Sequence, residues 1–116
     1  MSDKVGCPVK ELPPIRADVY ENLQESVNAL ANKYRIAILL ELDKYGELCA
    51  CDLEPVLNLS QSSVTLHLQK LYHTGFLKKT ERGKYTYYSI NKNYSYVLKF
   101  LKELGDFYKL EETAQR

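Results

Sequence analysis

Apolar residues recur at helical spacing along most of the chain. From Asp18, which suits an N-cap, Val19, Leu23, Val27 and Leu30 share one face and predict a first helix. Ile36, Ala37, Leu39, Leu40 and Tyr45 predict a second, stopped by Gly46. A short helix over about residues 48 to 57 turns Leu53, Val56 and Leu57 inward, and Pro55 fits its first turn if the regular part starts late. Asn58, Leu59 and Ser60 make a turn, Ser60 caps a helix from Gln61 to about His73 that buries Val64, Leu68 and Leu71, and Gly75 ends it.

The period then changes. Phe76 to Thr80 and Tyr85 to Ile90 are rich in β-formers and are joined by Glu81-Arg82-Gly83-Lys84, which predicts a two-stranded hairpin with a basic tip. A last helix, about Lys92 to Leu110, repeats Tyr94, Val97, Leu98, Leu101, Leu104 and Tyr108, with Phe100 and Phe107 turned to another side. That is more apolar surface than one face needs, and in a chain of 116 residues the excess points to a second subunit. The expected organisation is an extended N-terminal arm over 1–17, one domain over 18–110 and a tail over 111–116. The fold class is mainly α with a small β-hairpin wing, a homodimeric winged helix-turn-helix.

Charge sharpens this picture once it is divided along the chain. The total is +1, but residues 1–59 hold six Lys/Arg against ten Asp/Glu, residues 60–84 five against one, and residues 85–116 five against four. A basic stripe thus coincides with the fourth helix and the hairpin. On charge alone it fits a phosphate contact or a solvated face equally. No run approaches 18 consecutive apolar residues, and the N-terminus has neither the apolar run nor the cleavage site of a signal peptide, so a cytoplasmic location away from membranes is expected.

On a helical wheel, Ser62, Thr65, Leu66, Gln69 and His73 oppose the buried stripe of the fourth helix, flanked by Ser63 and Lys70. Gln61, Ser62, Ser63, Thr65, Leu66, Gln69 and Lys70 form the expected reading surface on double-stranded DNA, with Lys79, Arg82 and Lys84 of the hairpin on the phosphate backbone. His67 lies near the edge of the buried stripe and fits helix packing or a phosphate contact. A protein-binding winged helix is the competing use of the same surface. No Ser/His/Asp, Cys/His or paired-carboxylate arrangement is present to argue for an enzyme.

The stretch ELCACDL, Glu47 to Leu53, places Cys49 and Cys51 one residue apart; Cys7 is the third cysteine. Metal binding or redox sensing suits them better than a structural disulfide framework, and a Cys49–Cys51 disulfide is disfavoured by so short a loop. If both lie on a regular helix their side chains point about 200° apart. One ion bonded to both sulphurs needs them within about 4 Å, so capture would require the first helical turn to unwind.

ELCACDL, LSQSSVTLHLQKLYHTGFL (Leu59 to Leu77) and RGKYTYYSI (Arg82 to Ile90) resemble the ArsR/SmtB family of winged-helix repressors, and the likeness runs from about residue 20 to 108. The resemblance implies a homodimer through the first and last helices, bound to an operator and released when metal binds. It also carries the ligand role of a C-x-C pair in arsenic- and cadmium/lead-sensing branches onto Cys49 and Cys51. A trigonal site wants a third thiolate. Some arsenic sensors place it five residues after the first of the pair, where this chain has Glu54, and another branch draws on the N-terminal arm, where Cys7 is the candidate. The last helix has no His, so the family's zinc site between C-terminal helices cannot be built. Leu66 stands where the family often has His. The expected inducer is As(III) or Sb(III) without an organic cofactor. The alternatives are a Cd(II)/Pb(II) sensor and a redox sensor in which Cys7 oxidises with Cys49 or Cys51.

Overall fold

A computed structural model describes Gly6 and residues 8–108. Cys7 and residues 109–116, which include the end expected for the last helix and the C-terminal tail, lie outside the described residues. Residues 8–16 have no regular secondary structure, and the first turn, Ala17–Tyr20, is a 3-10 helix. Asp18 is inside that turn and not an N-cap. Among the described residues five helices and three strands follow: α1 (Glu21–Leu30), α2 (Lys33–Tyr45), β1 (Glu47–Cys49), α3 (Ala50–Leu57), α4 (Gln61–His73), β2 (Leu77–Arg82), β3 (Tyr85–Ile90) and α5 (Ser95–Asp106), the last preceded by a 3-10 turn at Lys92–Tyr94.

Local chemistry sets the boundaries of the central helices. The Asn32 side chain caps α2, accepting from the backbone N–H groups of Tyr34 (2.9 Å) and Arg35 (3.1 Å). Ser60 caps α4, its Oγ accepting from the Ser63 N–H at 3.2 Å. Asn58, left-handed at φ 55°, closes α3 and makes the tight turn between the two helices of the motif. Gly75 turns the chain out of α4 at φ +95°, and a Cβ there would meet the Tyr94 hydroxyl at 3.4 Å. Replacing Ser60 by Ala should therefore lower stability by about 1 kcal/mol, read by urea denaturation, because one orphan N–H of α4 loses its partner.

The core is one cluster in which Ile38, Leu39, Leu42, Leu53, Val64, Leu68 and Leu71 are fully buried, sealed by Phe76, Leu77, Tyr88, Val97 and Leu98. The stripe expected on α4 is therefore the stripe observed. Elsewhere the pattern misleads in an informative way. In α2 the buried residues are Ile38, Leu39 and Leu42 while Tyr45 is exposed, and in α3 Val56 is exposed. Val19, Leu23 and Val27 are exposed as well, so α1 buries only Ala29.

The wing is larger than a hairpin. β1 joins it, giving an antiparallel sheet in the order β1-β3-β2 with Glu47 opposite Ser89, Leu48 opposite Tyr88 and Cys49 opposite Tyr87. In the hairpin itself Arg82 faces Tyr85 across the turn. Among the described residues no helix is long and apolar enough to cross a membrane.

Candidate nucleic-acid interface and thiol site

Helix α4 presents Gln61, Ser62, Leu66 and Gln69 to solvent, with Thr65 half-buried among them. These five residues line a depression of about 590 Å³ on the outer face of the helix. Ser63 is half-buried, and its Oγ accepts from Ser60 Oγ at 3.1 Å, so it braces the helix start. Leu66 is 66% exposed, an apolar side chain largely open to solvent and suited to the methyl of a thymine.

Among the described residues the basic groups divide into those outside ion pairs and those within them. Lys79 and Lys84 are exposed, Lys79 with its Nζ 4.4 Å from the centre of the Tyr72 ring. Lys70 pairs with Glu25 of α1 at 3.5 Å. Arg82 pairs with Glu47 of β1 and stacks over Tyr87, its guanidinium carbon 4.7 Å from the ring centre. Neither pairing was readable from the sequence, since each joins residues distant along it. Both are exposed pairs, worth little in water and open to exchange for a phosphate.

His67 turns inward. Its ring lies 5.6 Å from that of Tyr34, and the Arg35 guanidinium donates from Nη1 to Nδ1 at 3.3 Å. Arginine only donates, so Nδ1 accepts and the imidazole is neutral with its proton on Nε2. Of the two roles open to His67, its observed contacts are those of packing against α2. Burial, and then the neighbouring Arg35 charge, push the His67 pKa below its ordinary value of 6.5. A lowered pKa means the unfolded chain takes up the proton first. The stabilisation from neutral His67 is thus present above about pH 6.5 and is lost as pH falls through the lower folded value. The stability gap between the unsubstituted chain and His67→Gln, from urea unfolding at pH 7.5 and pH 5.5, should narrow at the lower pH.

The cysteine pair departs most from expectation. Cys49 is the N-cap of α3 and the last residue of β1, with extended backbone (φ −97°, ψ 170°), and Cys51 is in the first turn. The helical-wheel separation therefore does not apply to them. Their Cα atoms are 5.3 Å apart and their sulphurs are joined in a disulfide. Two expectations are corrected. A disulfide between them is accommodated, because the extended cap places the Cα atoms within the usual range. Nor is unwinding needed to bring the sulphurs together, because the cap already does so.

Asp52 completes the cluster. Its Oδ2 accepts the Cys49 N–H at 3.0 Å, and its carboxylate and the two sulphurs lie within 4.8 Å of one another. The pattern Cys-x-x-Asp has the spacing of a capping box, which could have marked Asp52 in the sequence. Helix α3 runs from Ala50, so Pro55 sits inside it and not in its first turn. A proline has no N–H to give the carbonyl four residues earlier, here that of Cys51, so the turn bearing the thiol lacks one helical hydrogen bond. Cys49 is 4% exposed, and Cys51 is open to solvent. Reduced, the pair offers two soft donors with an oxygen beside them, a set that favours a thiophilic ion.

The two candidate sites meet. One cleft of about 430 Å³ is lined by Cys49 and Cys51, by Gln61, Thr65 and Gln69 of α4, and by Lys79, Lys84 and Tyr85 of the wing. Thiols, reading face and wing cations share a single recess.

Comparison with known proteins gives the same frame. The family described as "Bacterial regulatory protein, arsR family" matches residues 32–79. The arsenical resistance operon repressor of Bacillus subtilis (strain 168) is 29% identical over 76 residues, 66% of this chain and 72% of that protein. The arsenical resistance operon repressor of Escherichia coli (strain K12) is 39% identical over 62 residues, 53% of each, so this chain spans about half of that relative's length. The crystal structure of the AntR antimony-specific transcriptional repressor superposes with a TM-score of 0.65 at 27% identity, covering 96% of this chain and 100% of that one. The matched residues begin at the Asn32 cap and end within β2, taking in both helices of the motif and the cysteine pair. Residues 32–79 of this winged helix-turn-helix are therefore an arsR-family helix-turn-helix domain, and that family and fold are those of DNA-binding transcription regulators, not of enzymes.

Proposed function

We propose that this chain is a homodimeric repressor that holds operator DNA with α4 and the wing and releases it when As(III) or Sb(III) is captured by Cys49 and Cys51, with Cys7 of the N-terminal arm as third sulphur. The observation that carries this is the shared cleft: a thiolate pair that opens onto Gln61, Thr65, Gln69, Lys79 and Lys84 cannot be occupied without altering the surface offered to the duplex. The arsenical repressors and the antimony-specific repressor among its relatives support the choice of ion.

Capture begins from the reduced pair. Each thiol that binds arsenite forms one As–S bond, and its proton leaves with a displaced hydroxide as water. The consequence for DNA follows from where Cys49 is anchored. It ends β1 opposite Tyr87 of β3, so a pull on its sulphur acts on the wing strand, while Cys51 sits in the turn that Pro55 leaves one hydrogen bond short. A hundredfold loss of operator affinity needs about 2.7 kcal/mol of coupling, an ordinary amount for allostery.

The dimer is inferred from apolar surface that the monomer leaves uncovered. Leu23 and Val27 on α1 are 59% and 55% exposed, Phe100 on α5 is 57% exposed, and Tyr96 and Phe107 extend that surface. Isolated exposed apolar residues need no explanation, but two helices carrying them in rows do.

A second function rests on the disulfide itself. Oxidation of the dithiol by a peroxide, which takes up two electrons and two protons, would give the Cys49–Cys51 bond and would need no part of Cys7. One experiment separates these. Reduced protein on a labelled duplex, selected by this chain from a randomised pool, is titrated with arsenite, antimonite, cadmium and peroxide. Release by arsenite or antimonite at stoichiometric amounts, lost in Cys51→Ser, supports metalloid sensing; release by peroxide alone supports the redox reading; retention throughout contradicts both.

A further inference from the structure

Arg35 belongs to no sequence motif, and the fold makes it a junction. It lies in the first turn of α2 and spends its side chain on two other helices. Nε donates to the carbonyl of Ala29 at 2.6 Å and Nη2 to that of Asn28 at 3.3 Å, both in the last turn of α1. From Nη1 it reaches His67 of α4 at 3.3 Å. The Asn28 carbonyl also accepts from the Ala31 N–H at 3.1 Å, and a cation at a helix C-terminus meets the negative end of the helix dipole. The guanidinium is planar and rigid, so the distance from its α1 end to its α4 end is fixed.

Helix α1 also meets the core through buried Ala29 and half-buried Leu30, and among the described residues its other polar tie to α4 is the solvent-exposed Glu25–Lys70 pair. We propose that Arg35 is a positioning residue that fixes the recognition helix α4 relative to α1 and thereby sets the half-site spacing the dimer accepts. This rests on the dimeric DNA-binding function proposed above. With α1 at the dimer interface, the pose of α4 on α1 determines the separation and angle of the two recognition helices. A dimer of this kind places them about one DNA turn apart, 34–36 Å over about 10 base pairs, so one added base pair shifts a half-site by about 3.4 Å and turns it by roughly 35°. A rigid junction rejects that displacement and a loosened one follows it.

The test uses the selected duplex and two derivatives with one base pair added to or removed from its centre. The full chain should discriminate against both derivatives by about tenfold or more, which is one base-pair mismatch's worth of affinity. In Arg35→Gln, and in His67→Ala, which breaks only the α4 end of the link, the ratio should fall to about two- or threefold while the dimerisation constant stays as it was. A purely structural role would lower affinity on all three duplexes alike, and a ratio unchanged in both variants overturns the proposal. If Arg35→Gln fails to fold, His67→Ala alone decides. A full chain that enriches no duplex from the pool sinks the repressor function and this inference together, whereas a full chain that binds and discriminates while the variants discriminate equally sinks this inference only.

Discussion

Cys49→Ser and Cys51→Ser should each leave a protein that folds, binds the selected duplex within about threefold of the unsubstituted chain and no longer lets go when arsenite is added. The change removes one sulphur and little else. At position 49 the serine takes over an N-cap, a position for which it is among the preferred residues, so α3 should be at least as stable as before. At position 51 the side chain faces solvent. The effect on induction is large because a single remaining thiolate has no chelate partner, and the full coupling of about 2.7 kcal/mol for hundredfold release is lost. Duplex retention in a titration by fluorescence anisotropy measures it. Cys7→Ser tests the third ligand separately, and induction like that of the unsubstituted chain would remove Cys7 from the site.

Leu23→Glu together with Phe100→Glu should convert the dimer to a monomer and weaken duplex binding by two orders of magnitude or more. Fully burying a side chain of this size stabilises by about 1.5–3 kcal/mol, and an unpaired carboxylate in its place costs several more. A single half-site then carries what two carried jointly. Sedimentation velocity reads the first outcome and anisotropy the second. The monomer fold should survive, since both residues are more than half exposed and neither belongs to the buried cluster. A double variant that remains dimeric would place the subunit contact elsewhere.

How much of this was legible in the sequence differed from element to element. Helix α4 was fully so, because Ser60, the Val64-Leu68-Leu71 stripe and Gly75 are local signals that tertiary structure had no reason to override. Strand β1 was invisible. It is three residues long, and what makes Glu47–Cys49 a strand is its pairing with Tyr87–Ser89 some forty residues later. That omission misplaced the thiols, since assigning Cys49 to a helix turned its sulphur away from Cys51. In α1 the apolar spacing correctly marked a helix but not that Leu23 and Val27 on its apolar face are exposed. Lys70 and His67 were correctly placed on α4 and Arg82 on the wing. Their partners Glu25, Glu47 and Arg35 come from α1, β1 and α2, where no sequence period points to them.

In the proposed mechanism thiol capture and DNA binding draw on one cleft. Coupling of this kind is reciprocal, so the duplex must weaken arsenite binding by the factor that arsenite weakens the duplex. Isothermal titration of arsenite into reduced protein, free and saturated with the selected duplex, measures that factor directly. Arsenite should bind about a hundredfold more weakly when DNA is bound. Equal affinities in the two states would contradict the mechanism.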